Sequence, residues 1–244
     1  MSLIDHINKK SMELWHLQQC PLFRALEDQD LESVFNMTQM LSLGPDEPVT
    51  LPPSHLGEKC FWVIKRGHIK LDYHDKTGRE STVMILGPGD LFGAFPTSGI
   101  EQYEEIARTV TSVCLCIITH TDFERLMGKH PNIAFEITKA AFRRIEKLQV
   151  RMADLLMKPI EERLAITLLQ LNRQIGQDDG RGGRMFALPL SHRDLANLVG
   201  SSREMVTHVL RRFRSEGILE TARKELHLQR MDLLEKLARG EQLN

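Results

Sequence analysis

The chain has 244 residues, of which 41% are hydrophobic and 27% charged, with a net charge of −1. That length suits two modest domains, and the balance excludes a wholly disordered chain or a polybasic tail as the basis of any nucleic-acid binding. No stretch approaches the ~18 consecutive apolar residues of a membrane span, and residues 1–25 lack the apolar core of a signal peptide, so a cytoplasmic location without membrane contact is expected.

Residues 3–40 read as helical, with Leu22, Phe23, Leu26, Leu31, Val34 and Phe35 at helix-like spacing. From about residue 41 the texture changes. Pro45, Pro48, Pro52 and Pro53 forbid a helix, and short β-type runs follow at Cys60–Lys65, Ile69–Tyr73, Thr82–Leu86 and Thr109–Ile118. Ile69, Leu71 and Tyr73 alternate with His68, Lys70 and Asp72, the pattern of a half-buried strand. Gly67, "DKTG" at 75–78 and "GPGD" at 87–90 punctuate these runs as turns. Many short strands at close spacing predict an antiparallel barrel or jelly roll.

"THTDFERLMGKHP" returns to helix, with Thr121 and Glu124 at capping-box spacing. Pro131 suits the first turn of a long helix reaching about Met157. Within it Ala141, Ile145, Leu148, Met152 and Leu155 repeat at alternating steps of four and three. Two heptads allow either self-association or packing of a single helix on its own domain. Residues 160–175 form another amphipathic helix, 176–183 a loop, 184–190 a strand, 218–230 two small strands and 231–239 a last helix.

Residues 191–215 hold the most specific signal. Ser191 with Asp194, and Ser201 with Glu204, both have capping-box spacing, so two helices have marked starts around Gly200. Leu195, Leu198 and Val199 face inward from the first; Val206, Val209, Leu210 and Phe213 make one stripe on the second. The opposite face of the second carries Arg203, Glu204, Thr207, His208 and Arg211, and 191–214 holds five arginines against two acids. This is a helix-turn-helix with a small wing behind it. A helix fits the major groove of duplex DNA, where Arg203 would pair with guanine O6 and N7 and Glu204 with cytosine N4. Thr207 and His208 join them as base-reading candidates, while Ser191, His192, Ser202 and Arg211 are candidates for holding phosphates.

With those residues in view, the chain resembles the CRP/FNR superfamily of bacterial transcription regulators, the cyclic-AMP receptor protein and its relatives. The resemblance rests on "DLANLVGSSREMVTHVLRRFRSEGIL", "ILGPGDLFGA", "FWVIKRGHIKL" and "CPLFRALEDQDLESV", and covers roughly residues 18–230. It implies an α+β fold: an N-terminal cyclic-nucleotide-binding-like β-roll (residues 1–130), a long dimerisation helix (131–158) and a C-terminal winged helix-turn-helix (159–244). It also implies a homodimer that places the recognition helix, 201–215, on a palindromic operator and contacts RNA polymerase. The dimer seam would be Ala141, Ile145, Leu148, Met152 and Leu155.

The effector region departs from the family pattern. Gly93 is followed by Ala94 and Phe95, where cyclic-nucleotide binders keep a Glu for the ribose. Tyr103 and Glu104 stand at the Arg-Ser pair that meets the cyclic phosphate, and an acid there disfavours an anion. Lys147 and Leu148 replace the Thr-Ser pair that meets the base. The expected effector is therefore an unidentified molecule other than cAMP or cGMP. Haem is an alternative cofactor, with His6, His16, His55, His68, His74, His120 and His130 in the sensor half. Thiol oxidation at Cys114 or Cys116 is another alternative, and an effector-independent regulator a further one. An iron–sulfur cluster is not expected, because Cys20 stands alone near the N-terminus, and the four cysteines lack zinc spacing. In the recognition helix His208 replaces the family's second Arg. A ligand-binding or interaction module without DNA function is the rival from another class. No Walker A, H-E-x-x-H or G-x-S-x-G motif occurs, so no enzyme activity is expected.

Overall fold

The computed structural model describes residues 23, 26–50, 59–78, 80–93, 103–178, 180, 183–187, 190–222 and 225–241. Its contacts divide the chain into two compact units, Met1–Lys70 with Ile85–Ile145, and Leu71–Met84 with Glu146–Asn244.

In the first unit, α1 spans Asp28–Met37 and buries Leu31 and Val34. The helical reading out to residue 40 fails at Thr38, where β1 (Thr38–Leu43) begins. Each of its six residues pairs with one of β7 (Val113–Thr119), from Thr38↔Ile118 to Leu43↔Val113. A ladder to a partner this distant in sequence overrides local helical spacing. The sheet order is β1-β7-β2-β5, with β2 at Cys60–Arg66 and β5 at Leu91–Gly93. On one face Phe61, Val63, Cys116 and Ile118 pack with Leu31 and Val34 of α1, Phe123 and Leu126 of α2 (His120–Lys129) and Ile133. The alternate residues Trp62, Ile64, Leu115 and Ile117 are buried as well, which explains why β2 reads as a continuous apolar run.

A second sheet has the order β4-β3-β6, with β3 at Ile69–Asp75, β4 at Glu80–Leu86 and β6 at Tyr103–Thr109. The single run read over Thr109–Ile118 is two strands. Val110 N and Thr111 N both donate to the His68 carbonyl, and the Thr111 hydroxyl accepts from His68 N, which fixes a bend at 110–112. The half-buried alternation expected of β3 also fails, since Lys70 and Asp72 are 8% and 1% exposed. The turns expected at 75–78 and 87–90 form: Gly78 N donates to Asp75 O, and Asp90 N to Gly87 O. The cap of α2 lies two residues before the expected Thr121. Thr119 accepts from Asp122 N at 3.2 Å, because the strand already delivers Thr119 in extended conformation.

The long helix α3 spans Pro131–Met157 as expected, about 40 Å at 1.5 Å per residue.

The second unit is built on α4 (Ile160–Ile175), which buries Leu164, Ala165, Leu168, Leu169 and Leu171. Residues 176–183, read as a loop, include the short strand β8 (Gln177–Asp178) at the edge of a sheet ordered β10-β11-β9-β8. Its other strands are β9 (Arg184–Ala187), β10 (Leu219–Ala222) and β11 (Glu225–Leu228). Arg184 donates to the Gly176 carbonyl at 2.8 Å and so ties β9 to the end of α4. The last helix, α7, spans Met231–Ala238 and buries Leu234 and Leu237. This is the expected wing flanked by helices.

Candidate nucleic-acid interface

Two helices of the second unit form the candidate site, α5 (His192–Val199) and α6 (Arg203–Ser215). The expected capping box starts α5: Ser191 Oγ accepts from Asp194 N at 3.1 Å, and Asp194 Oδ2 accepts from Ser191 N at 2.6 Å. The helix ends at Gly200, whose φ of 62° is left-handed and favours glycine. The second expected cap shifts by one residue. Ser202, not Ser201, is the N-cap of α6, and its hydroxyl accepts from Met205 N at 3.2 Å. Glu204 is thereby a first-turn acid at the positive helix end rather than the reciprocal member of a box.

The apolar stripe is as read: Val206, Val209, Leu210 and Phe213 are buried on α6, and Leu195 and Val199 on α5, with Leu198 half-buried. Burying a side chain of this size contributes about 1.5–3 kcal/mol. The stripe therefore fixes which side of α6 faces outward. Glu204, His208 and Arg211 are exposed there, Arg203 is exposed at the helix's first residue, and Thr207 is half-buried. Met205 is exposed at 46% on the same helix, an apolar group not anticipated among the readers. Of the phosphate candidates, Ser191 donates its hydroxyl proton to Asp194 Oδ2 at 2.8 Å, and the Ser202 oxygen is engaged by the cap. His192 lies 2.9 Å through Nδ1 from Thr207 Oγ1. Burial first, then the neighbouring Arg203 and Arg211, lower its imidazole below the usual histidine range.

A contact absent from the sequence reading involves the β3–β4 hairpin. Thr82 Oγ1 lies 2.7 Å from Asp72 Oδ1 and 2.9 Å from Asp194 Oδ1. Arg151 donates to the carbonyls of Val83 and Asn197. Nothing in the local spacing of Thr82 or Arg151 marks these partners.

Gly93 ends β5 opposite Phe61, with φ 121° and the Cys60 carbonyl only 2.6 Å from where a Cβ would sit, which requires glycine. Glu104 is exposed on β6. Ala94 and Phe95 lie outside the described residues, and Tyr103 is placed only as the first residue of β6. Lys147 and Leu148 are exposed on α3, in the second unit. His6, His16, His55 and Cys20 also lie outside the described residues. His74, His120 and His130 lie within 4 Å of Glu80, Glu124 and Asp30 respectively. Cys116 is fully buried and Cys114 half-buried on β7. Among the described residues no group of three or more His, Cys, Asp or Glu is placed to hold a metal ion, and no helix is long and apolar enough to cross a membrane.

Comparison with known proteins agrees with this geometry. Residues 162–237 match the family of Crp-like helix-turn-helix domains, and residues 55–130 the cyclic nucleotide-binding domain. The chain is 26% identical over 200 residues to the CRP-like cAMP-activated global transcriptional regulator of Mycobacterium tuberculosis, covering 79% of this chain and 88% of that one. It is 28% identical over 180 residues to the fumarate and nitrate reduction regulatory protein of Escherichia coli K12, covering 74% and 71%. In fold it resembles a CRP-family transcriptional regulator from Thermus thermophilus, with TM-score 0.66, 22% identity and coverage of 82% and 97%. FixK2 from Bradyrhizobium japonicum gives TM-score 0.64, 21% identity and coverage of 85% and 98%. With a cyclic-nucleotide-binding-like sheet domain ahead of a winged helix-turn-helix, the chain belongs to the CRP/FNR superfamily of transcription regulators.

Proposed function

We propose that this regulator acts as a homodimer that inserts one α6 per chain into successive major grooves of a palindromic operator. The observation that carries this reading is the two-sidedness of α6: four apolar residues are buried on one side, Glu204, His208 and Arg211 are exposed on the other, and Arg203 is exposed at the helix's first residue. Arg203 pairs with a guanine and Glu204 with a cytosine, while His208 and the methyl of Thr207 complete the base contacts. His192, Arg211 and Ser202 set register on the phosphates, while Ser191, whose hydroxyl and amide protons both go to Asp194, holds the start of α5 instead. Replacing Arg203 by Ala tests this directly. Loss of one bidentate contact predicts binding weakened by about 1–3 kcal/mol and relaxed preference at one G·C pair, read by competition among operator variants. Equal affinity and unchanged preference would remove Arg203 from the readers.

The dimer reading rests on α3. Ala141, Ile145, Leu148, Met152 and Leu155 are all exposed in the single chain, Met152 at 64%. A helix face this apolar is stabilised by a second copy. Met152→Asp is expected to shift the sedimentation coefficient from dimer to monomer; an unchanged value places the interface elsewhere. In this reading residues 1–130 sense, 131–158 dimerise and 159–244 bind DNA and engage RNA polymerase. The signal acts at the β-roll by shifting the population of two global states. The Mycobacterium relative is cAMP-activated by name, but the residues here do not fit that ligand. Glu104 offers an exposed carboxylate on β6 where the family sets a cation for the cyclic phosphate, and Ala94 has no acceptor for ribose. Titration with cAMP is accordingly expected to leave both operator affinity and thermal stability unchanged; a saturable rise in either overturns that exclusion.

A further inference from the structure

Thr207 fixes the tautomer of His192. The Thr207 hydroxyl carries one proton and donates it to the Arg203 carbonyl at 2.7 Å. Its oxygen also lies 2.9 Å from His192 Nδ1. Both contacts are hydrogen bonds at once only when the hydroxyl donates to the carbonyl and Nδ1 donates to its oxygen, in the neutral ring as in the charged one. In the neutral ring Nε2 therefore carries a lone pair and no proton. A bare Nε2 presents electron density to a phosphate oxygen, which repels it. A protonated Nε2 presents an N–H and a positive charge, the stronger kind of hydrogen bond.

We propose that His192 is a proton-linked DNA-phosphate ligand, taking a proton from solvent onto Nε2 when the duplex docks and returning it on release. This rests on the DNA-binding reading above and adds the chemistry of one contact. His192 is the first residue of α5, so the partial positive charge of that helix end already disfavours the imidazolium in the free protein. Arg203 and Arg211 act in the same direction from α6, which also carries His208. On its own helix the charged neighbours are Arg193, 3.9 Å from Glu80, and Asp194, whose carboxylate accepts from Ser191. Burial and the two arginines thus keep the free ring neutral near pH 7, and a docked phosphate reverses the balance. The consequence is that affinity falls as pH rises, by up to one proton per chain.

The experiment measures affinity of the full-length chain for a duplex it selects from a random-sequence pool, at constant ionic strength, between pH 6 and pH 8. The parent is expected to weaken by about tenfold per bound chain over that range, the equivalent of one pKa unit of coupling. His192→Arg, permanently charged, is expected to lose that dependence and to bind at pH 8 about as tightly as the parent at pH 6. His192→Gln is expected to bind weakly at both. His208 is present in every variant, so the comparison isolates His192. Ring 15N shifts in the free protein at pH 8 supply an independent readout: Nδ1 is expected protonated and Nε2 bare. A parent and His192→Arg with the same pH slope, or a free ring protonated on Nε2, overturns the proposal while leaving DNA binding intact. A parent that selects and binds no duplex at any pH overturns the DNA-binding reading itself, and this contact with it.

Discussion

Gly200 closes the turn between α5 and α6, and replacing it by Ala isolates what that turn needs. Two costs follow from the geometry. The residue sits at φ 62°, where a Cβ costs about 1–2 kcal/mol. The added Cβ would also lie 2.3 Å from Leu155 Cδ2, forcing that side chain into another rotamer at about 0.5–1.5 kcal/mol. Stiffening the unfolded chain returns about 0.4–1 kcal/mol. Gly200→Ala is therefore expected to destabilise by about 0.5–3 kcal/mol, read as a lower urea midpoint at unchanged slope. Gly200→Asn separates the two costs: Asn tolerates the left-handed region but keeps the Cβ, so it is expected to fall between Gly and Ala. If Gly200→Ala unfolds within about 0.5 kcal/mol of the parent, the ordinary range for surface changes, the turn does not depend on glycine and the reasoning fails.

Other perturbations have equally definite outcomes. Thr82→Val removes a hydroxyl lying within hydrogen-bond distance of two buried carboxylates, Asp72 and Asp194; a loss of about 1.5–3 kcal/mol is expected from the urea midpoint, and a neutral result would mean the hydroxyl bonds neither. Phe213 is 0% exposed at the centre of the α6 stripe, so Phe213→Ala should cost about 3–5 kcal/mol in calorimetry and abolish duplex binding at 37 °C. Burial lowers the His68 imidazole, with Asp90 partly opposing. The folded chain thus binds that proton less tightly than the unfolded one. Stability is then full above the usual histidine value of about 6.5 and is lost as pH falls toward the lowered folded value. His68→Gln should flatten the change in urea midpoint between pH 7.5 and pH 5.5; an unaltered change would exonerate His68.

Much of the helix-turn-helix was legible because its determinants are local. Ser191 and Asp194 are three residues apart, Gly200 punctuates the turn, and the 206-209-210-213 stripe repeats at the helical period. Each of these acts through neighbours within one or two turns, so spacing alone conveys the physics. Long-range pairing was not legible. Thr38–Met40 falls within the stretch that reads as helical, and becomes a strand because β7 supplies its ladder. Asp72 looks like the polar face of a strand, yet it is buried beside Thr82. The cap of α6 moved from Ser201 to Ser202 because either serine hydroxyl can accept from a first-turn N–H, and the packing of the buried stripe selects the register. The tautomer of His192 lies between these cases. His192 and Thr207 are both visible as helix residues, but only the packing of α5 against α6 brings Nδ1 to a hydroxyl whose proton is already committed. Sequence by itself determined the elements whose energy comes from near neighbours along the chain. Tertiary structure decided every feature whose partner is distant, because a backbone ladder or a shared hydroxyl exists only once the chain has brought its two ends together.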